Sequence, residues 1–303
     1  MKRPIAALIY DFDKTLSPRD MQEYSFLPGI NVESSAFWEE CRVAAVEHEM
    51  DGVLAYMYMM RKHAAGTELL TREGLNRLGA QVEFFPGVRD WFRRVNAIGD
   101  GLGLDVEHYI ISSGLREIIE GTAIAGEFTK VFAASFVYDE NGHAVWPATA
   151  VNYTSKTQYL FRINKGILDI TNDRDLNGFT PESKRRVPFA NMIYVGDGLT
   201  DVPCMKLTRI KGGYSVAVYA PDAKDTHLSD EMLVEDRVDF CARADYSAGS
   251  EMEKVVTLLL KQIAAKSEAR KEHLKQYDRA LSALGEPKWM YDKNSRMPDD
   301  LES

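Results

Sequence analysis

The feature that most constrains this chain is the stretch from Ile5 to Leu16, IAALIYDFDKTL. Its first six residues are mostly apolar and predict a short buried β-strand, and polar residues begin abruptly at Asp11. Asp11 and Asp13 are two positions apart, so their carboxylates point roughly the same way at the strand end. Carboxylates held that close repel each other unless a cation lies between them, and oxygen ligands favour Mg²⁺. The competing interpretation is a strand followed by an Asp-rich turn in which Asp13 caps the next segment.

Composition and charge argue against several classes of protein. Of the 303 residues, 45% are hydrophobic and 27% are charged, which is typical of a soluble globular chain. The net charge of −9 argues against a nucleic-acid-binding surface. The sequence has no apolar run long enough to span a bilayer, and Cys41, Cys204 and Cys241 lack the spacing of a zinc site or a disulfide framework. We therefore expect a cytoplasmic protein that binds neither nucleic acid nor membrane.

Residues 17–83 show helical periodicity and almost no strand signal. Apolar positions recur at helical spacing over residues 34–63, with a break at Asp51 and Gly52. Thr71 is the predicted cap of a further helix. The segment is therefore predicted to be a helical insertion. Its aromatic and methionine side chains either line a substrate pocket or form the insertion's own small core, and the second arrangement is the commoner one.

Beyond residue 83, predicted strands alternate with predicted helices. Strands are expected over residues 107–111, 131–138, 144–152, 191–195, 215–219 and 239–242. The alternation predicts an α/β fold in which a Rossmann-like parallel sheet carries helices on both faces. We predict a core of residues 1–16 and 84–265, a small helical cap domain over residues 17–83, and a charged C-terminal helix and tail over residues 266–303.

Polar residues follow three of the predicted strands. Ligands of parallel α/β sheets bind beyond the carboxyl ends of the strands, so side chains that follow different strands are expected to meet there. The residues concerned are Asp11, Asp13 and Thr15 after the first strand, Ser112 and Ser113 after the second, and Asp197 and Asp201 after the strand NMIYV. This convergence favours a composite site over an Asp-rich turn.

These strand ends resemble the four motifs of the haloacid dehalogenase (HAD) superfamily. DFDKTL at residues 11–16 is similar to the first motif, DxDx[TV], and YIISSG at residues 109–114 is similar to the second. A lysine at the start of a later helix is similar to the third, and GDGLTD at residues 196–201 is similar to the fourth. The insertion between the first two motifs resembles the cap of the serine-phosphatase-like branch. The resemblance covers about residues 1–16 and 84–260.

The resemblance implies a Mg²⁺-dependent phosphomonoester hydrolase that forms an aspartyl phosphate. Asp11 would be the nucleophile, and Asp13 would be the general acid and then the general base. The metal ligands would be Asp11, Asp197 and the backbone carbonyl of Asp13. Dehalogenases of this superfamily lack the second aspartate, so Asp13 favours cleavage of an O–P bond.

The resemblance also implies which residues bind the phosphoryl oxygens. They would be Thr15, a serine of the Ser112-Ser113-Gly114 segment, and a lysine. Ser112 is nearer the predicted strand end than Ser113, but the choice between the two serines as the phosphate ligand stays open. Lys156 begins the helical segment KTQYL, whereas the alternative Lys165, in RINKG, is closer in sequence to Asp197.

The remaining implied roles are supporting ones. Gly196 and Gly198 would let the backbone turn tightly beside the ion, and Asp201 would orient the lysine or a metal-bound water. Asp20 lies nine positions after Asp11, where the serine-phosphatase branch has a glutamate that binds the substrate amine. Arg61 is the other cap residue expected to contact the substrate, through a carboxylate or a second phosphate.

The substrate expected from this resemblance is a small phosphorylated metabolite. Two other functions remain open at this stage. One is a phosphomutase or phosphotransferase, which would shield the aspartyl phosphate from water. The other is a non-catalytic binding scaffold that keeps the fold, although such a scaffold would have no reason to retain clustered carboxylates that repel each other.

Overall fold

Residues 3–284, which the computed structural model describes, form an alternating series of strands and helices. The strands are β1 Ile5–Tyr10, β2 Asp105–Leu115, β3 Lys130–Tyr138, β4 Ala144–Thr149, β5 Met192–Gly196, β6 Tyr214–Tyr219 and β7 Phe240–Arg243. The α-helices are α1 Phe26–Gly29, α2 Ser34–Glu47, α3 Gly52–Ala64, α4 Arg72–Leu78, α5 Val88–Gly101, α6 Arg116–Glu120, α7 Lys156–Lys165, α8 Asp173–Asn177, α9 Val202–Ile210, α10 His227–Val234 and α11 Glu251–Leu284.

The strands form one sheet in the order β4-β3-β2-β1-β5-β6-β7. Neighbouring strands are parallel except for β3 and β4, which form an antiparallel pair at one edge. β1 is the central strand and pairs with β2 on one side and β5 on the other. The predicted α/β fold with a Rossmann-like sheet is therefore confirmed.

Both faces of the sheet are buried, as the apolar run of β1 predicts. Successive side chains of a strand point to opposite faces. Leu8 accordingly joins an apolar cluster with Trp91 of α5 and with residues of α11. Ile9 joins a second cluster with Leu160 of α7 and Met205 of α9. The helices therefore cover the sheet on both sides.

The helical segment between β1 and α5 contains α1 to α4. One of its helices begins at the predicted cap, since the Thr71 hydroxyl accepts a hydrogen bond from the Gly74 amide (2.9 Å). Another begins at the predicted break, where the Asp51 carboxylate accepts a hydrogen bond from the Val53 amide (2.8 Å). Buried side chains of this segment belong to the same apolar cluster as the sheet residue Leu8. The cap boundaries at residues 17 and 83 stay a prediction.

The C-terminal helix α11 crosses the boundary predicted between the core and the charged C-terminal segment at residue 265. The helix runs without a break from Glu251 to Leu284, and its side chains beyond Lys266 are largely exposed. Residues 285–303 of the predicted C-terminal helix and tail lie outside the described residues. No helix among residues 3–284 is long and apolar enough to cross a membrane.

A buried chain of hydrogen bonds connects β1, β2 and α5. The Trp91 indole N–H donates to the Tyr10 hydroxyl (2.9 Å), which lies 3.1 Å from His108 Nδ1. His108 Nε2 lies 3.0 Å from Asn96 Oδ1. Because Trp91 can only donate, Tyr10 directs its own proton to Nδ1, and the neutral Nε2–H tautomer of His108 satisfies every partner. Burial lowers the pKa of His108 from its ordinary 6.5 to about 3.

We expect this histidine to make the protein sensitive to acid. A group whose pKa is lower in the folded state than in the unfolded state stabilises the fold fully above its unfolded pKa. That stability is lost as the pH falls from 6.5 toward 3, by about 1.4 kcal/mol per pH unit. Chemical unfolding at several pH values measures the loss. The loss of stability on acidification should be smaller in His108→Gln than in the wild type. It should equal the wild-type loss in His273→Gln, a control on the exposed part of α11. Parallel pH profiles for the wild type and His108→Gln would contradict this assignment.

Candidate active site

The ends of β1 and β5 bring the first acidic residues together. Tyr10 pairs with Val195, and the Asp11 amide continues the ladder by donating to the Val195 carbonyl (2.9 Å). Asp11 therefore lies beside Asp197, which follows the last residue of β5. Parallel strands end at the same edge, so residues far apart in the sequence become neighbours there.

Three carboxylates form a compact cluster at this edge. Asp11, Asp197 and Asp201 each offer one oxygen, and these oxygens lie within 4.8 Å of one another. Asp201 is fully buried, and Asp11 is 7% exposed. The Asp13 carboxylate is not a member of this cluster and instead accepts a hydrogen bond from the Met21 amide (2.9 Å). The two aspartates of the DFD segment therefore have different surroundings.

Lys156 is the cation of the cluster. Its Nζ lies 2.9 Å from Asp11 Oδ2 and 2.7 Å from Asp201 Oδ1, and its side chain is completely buried at the start of α7. The Tyr194 hydroxyl donates a second hydrogen bond to Asp201 Oδ1 (2.7 Å). The alternative, Lys165, lies at the other end of α7 and donates to the carbonyls of Leu176 and Gly178. Of the two lysines, the structure brings Lys156 to the acidic cluster.

The carboxylates carry more negative charge than the lysine neutralises. Burial raises the pKa of Asp11 to about 6, although Lys156 opposes the shift. Burial, followed by the charges of Asp201 and Asp11, raises the pKa of Asp197 to about 8. Burial, followed by Asp20 and Asp11, raises the pKa of Asp13 well above its usual range. A further positive charge at this edge would relieve the repulsion among these groups.

The segment Ser112-Ser113-Gly114 belongs to β2 itself. The sequence pattern places the strand end at Ile111, but the strand continues to Leu115 with an irregular register against β3 after Ser112. Such an irregularity bends a strand and redirects its side chains. The prediction of the strand end is therefore wrong by four residues, because the periodicity of apolar residues does not detect a strand that continues through an irregular register.

The two serines make different hydrogen bonds. The buried Ser112 hydroxyl accepts a bond from the Gly114 amide (3.0 Å), which leaves its own proton available. The Ser113 hydroxyl instead donates to the Val151 carbonyl (2.7 Å). A Cβ at Gly114 would lie 2.1 Å from the Met21 Cε, so this position accommodates only glycine without rearrangement. These contacts favour Ser112 as the hydroxyl donor to a bound oxyanion.

The remaining residues of the first and fourth motifs also lie at this edge. The Thr15 hydroxyl donates to Asp197 Oδ1 (3.3 Å). Neither Gly196 nor Gly198 has a positive φ, so the backbone conformation alone does not require glycine at either position. Gly196 is required for another reason, since a Cβ there would lie 2.5 Å from the Asp201 Cγ. At Gly198 the nearest atom, Thr200 Oγ1, is 3.9 Å from such a Cβ.

A cavity of about 330 Å³ opens beside this edge, between the sheet and helices α2 and α3. On the sheet side it is lined by Asp13, Ser113 and Gly114. Asp20 lines it as well, and its carboxylate lies 2.9 Å from Lys14 Nζ. Arg61 is not among the lining residues, so the structure does not bring it to the predicted substrate position.

Further lining residues were not singled out by the motifs. They are Gln22, Trp38, Asp51, Gly52, Val53, Tyr56, Asn152, Tyr153 and Thr200. Both arrangements expected for the aromatic and methionine side chains of the insertion occur. Its methionines are largely buried in the core, whereas Trp38 and Tyr56 line the cavity. Helical spacing shows which residues share a helix face, but it does not show which face lines a cavity. Gln22, a lone polar residue, gave no signal in the sequence.

One hydrogen bond joins the helical insertion to the segment that leads into α7. Asn152 Nδ2 donates to Asp51 Oδ2 (2.9 Å), while Asp51 Oδ1 accepts the amide protons at the start of α3. The Asn152 carbonyl oxygen Oδ1 accepts a bond from the Ser155 amide (2.9 Å) directly before Lys156. These bonds connect two residues of the cavity lining, Asp51 and Asn152, to the start of α7, which carries Lys156.

Comparisons with known proteins agree with this geometry. The family model of haloacid dehalogenase-like hydrolases matches residues 8–206. An uncharacterized protein of Borreliella burgdorferi is 29% identical over 276 residues, which cover 82% of this chain and 94% of that protein. Two solved structures are similar to this one at 14% identity: a HAD family hydrolase of Salmonella enterica serovar Typhi and a probable phosphoserine phosphatase of Vibrio cholerae.

The structural similarity extends over most of the chain. The Salmonella hydrolase superposes with a TM-score of 0.55, covering 82% of this chain and 73% of its own. The Vibrio protein, in its unliganded form, superposes with a TM-score of 0.52, covering 88% of this chain and 67% of its own. At such low identity these two likenesses establish the fold and leave the reaction to the chemistry of the site.

Proposed function

The chain belongs to the haloacid dehalogenase-like hydrolase family, and from this premise we propose that it is a Mg²⁺-dependent phosphatase of small phosphorylated metabolites. The family match confirms the resemblance of the motifs. The observation that carries the proposal is the cluster of Asp11, Asp197 and Asp201 with the Lys156 ammonium 2.9 Å from Asp11. A cytoplasmic location is part of the same proposal.

The donor atoms of the cluster fit a hard divalent cation. All three groups offer carboxylate oxygens, which Mg²⁺ prefers over nitrogen or sulfur ligands. Asp11 and Asp197 would hold the ion, and its charge would offset the repulsion that raises their pKa values. When bound, Mg²⁺ supplies positive charge that stabilises the phosphoryl group in the transition state.

The chain's own residues supply the bond-making and proton-transfer steps. A carboxylate oxygen of Asp11 forms a bond to phosphorus while the bond from phosphorus to the alcohol oxygen breaks. Asp13, whose raised pKa favours its protonated form, gives its proton to the departing oxygen. Asp13 then takes a proton from a water that attacks the aspartyl phosphate, which releases inorganic phosphate and restores Asp11.

Other groups orient the phosphoryl oxygens and the lysine. Ser112 has a proton free to donate, and Lys156 places a positive charge beside Asp11. Asp201 and the Tyr194 hydroxyl form a buried pair that fixes the Lys156 ammonium. Positioned donors of this kind contribute more to phosphoryl transfer than covalent chemistry does.

Phosphate release from p-nitrophenyl phosphate tests this function. We expect turnover with Mg²⁺ and its loss with EDTA, because the carboxylate cluster needs a cation to accept a phosphate anion. Thermal unfolding tests the metal separately: Mg²⁺ should raise the melting temperature of the wild type and of the exposed control Asp90→Asn, but not of Asp197→Asn. Mg²⁺ binding without any phosphate release, from this ester or from a panel of phosphometabolites, would instead favour a mutase or a binding scaffold.

A further inference from the structure

The cavity beside Asp13 has an aromatic and acidic lining. Trp38 and Tyr56 line it with their ring centroids 6.1 Å apart and their planes at 74°. Asp20 and Asp51 add carboxylates to the same lining. Within residues 3–284, no lysine or arginine lines this cavity. Aromatic faces attract cations through their quadrupole, and nearby carboxylates strengthen that attraction.

Both aromatic rings are held in place by hydrogen bonds. The Tyr56 hydroxyl donates to the Ser113 carbonyl (2.7 Å), which ties α3 to the edge of the sheet. The Trp38 indole N–H donates to Glu23 Oε1 (3.3 Å). The corner formed by the two rings is therefore preorganised, so a bound group would cost little additional ordering.

Gln22 provides an independent indication of a ligand. Its side chain is 2% exposed and lines the cavity, yet its amide oxygen has no hydrogen-bond partner in the described part of the chain. A buried amide oxygen without a donor is costly, so such an atom is usually satisfied by water or by a ligand. A group that carries an N–H or O–H next to the Gln22 side chain would satisfy this oxygen.

The carboxylates are already partly engaged, and this limits what they contribute. Asp20 is 2.9 Å from Lys14 Nζ. Asp51 accepts bonds from Asn152 and from the first amides of α3. They supply a negative field around the cavity, while the rings and the Gln22 oxygen supply the direct contacts. A substrate carboxylate would meet this field without a lining cation to neutralise it.

We propose that the substrates are phosphomonoesters of small amino alcohols that carry a protonated amine and no carboxylate. The phosphate would lie at the acidic cluster beside Asp11, Lys156 and Ser112. The ammonium would lie against Trp38 and Tyr56 with one N–H donated to Gln22. This inference rests on the proposed phosphatase function, since it assigns a substrate class to the same site.

The test compares esters that differ in one group. We expect kcat/KM for 2-aminoethyl phosphate to exceed that for the neutral isostere 2-hydroxyethyl phosphate about tenfold or more. O-phosphoserine, which adds a carboxylate, should fall below 2-aminoethyl phosphate by a similar factor. Phosphocholine, which has no N–H to donate, should also fall below it.

Two substitutions and one control assign the preference to residues. Gln22→Met removes the amide oxygen at similar size, and Trp38→Leu removes one ring. Each should lower the ratio of kcat/KM between the aminoethyl and hydroxyethyl esters several-fold, which corresponds to the loss of one cation–π contact or one hydrogen bond. Tyr58→Leu, on an exposed part of α3 that does not line the cavity, should leave the ratio unchanged. Comparing ratios removes any general loss of stability or activity.

Binding separates this inference from the proposed function. Calorimetry on Asp11→Asn, which should not turn over, compares the affinities of the aminoethyl and hydroxyethyl esters directly. Preferential binding of the aminoethyl ester supports the inference even if p-nitrophenyl phosphate is never hydrolysed, an outcome that would contradict only the phosphatase function. Equal affinities for the two esters, or a ratio that is the same in the wild type, Gln22→Met and Trp38→Leu, would overturn the inference.

Discussion

Replacing Asp11 by Asn is expected to lower phosphate release from p-nitrophenyl phosphate about a thousandfold or more. The carboxylate oxygen is the nucleophile of the proposed reaction, and an amide of the same size cannot form the phosphoenzyme. The fold should be retained, because Lys156 keeps its 2.7 Å contact with Asp201 in the variant. Removing one of three crowded carboxylates also relieves repulsion.

The measurement is steady-state phosphate release with Mg²⁺, with a thermal melt of each variant as the check on folding. Asp90→Asn is the matched control, because the Asp90 carboxylate is exposed and, among residues 3–284, pairs only with Arg93 across one turn of α5. It should keep the wild-type rate. If Asp11→Asn melts normally and also keeps its turnover, Asp11 is not the nucleophile.

The second large effect is expected from Lys156→Met, and it concerns stability as well as activity. The substitution would leave Asp11, Asp197 and Asp201 without their buried cation, and breaking such a buried pair typically costs about 3–5 kcal/mol. Chemical unfolding in EDTA measures this loss. Phosphate release should fall as well, because the ammonium no longer neutralises the phosphoryl oxygens.

The loss should depend on pH and on metal in a defined direction. Lowering the pH from 8 to 5 should reduce this loss of stability. The pKa values of Asp197 and Asp11 are raised to about 8 and about 6, so at the lower pH both carboxylates can be neutralised by protons in place of the lysine. Mg²⁺ should also reduce the loss of stability. Lys165→Met is the control: its ammonium donates to two carbonyls at the surface, so about 1 kcal/mol is expected. Equal losses in both variants would remove Lys156 from its proposed role.

The sequence was sufficient to predict the sheet and its polar edge. Buried parallel strands appear as short apolar runs, and polar residues directly after them indicate the edge where ligands bind. The runs before Asp11 and Asp197 follow this rule closely, since both strands are central and buried on both faces. The adjacency of these two aspartates then follows from strand pairing.

The details of the site depend on tertiary contacts that local pattern does not encode. The strand β2 continues past Ile111 to Leu115 with an irregular register after Ser112, and the choice between Lys156 and Lys165 depends on which end of α7 meets the sheet edge. The need for glycine at position 196 arises from Asp201, a neighbour in space. Gln22 becomes conspicuous only when its amide oxygen is seen to be buried without a partner.

The position of β1 at the centre of the sheet has a consequence for biosynthesis. Ile5 pairs with Asp105 and Ala7 pairs with Met192, so β1 is synthesised long before either of its two neighbours. At about 5–20 residues per second, its apolar run waits roughly ten seconds or more before the second neighbour is available. The nascent strand has two open edges until β2 is made and one open edge until β5 is made, and an open edge can pair with other chains.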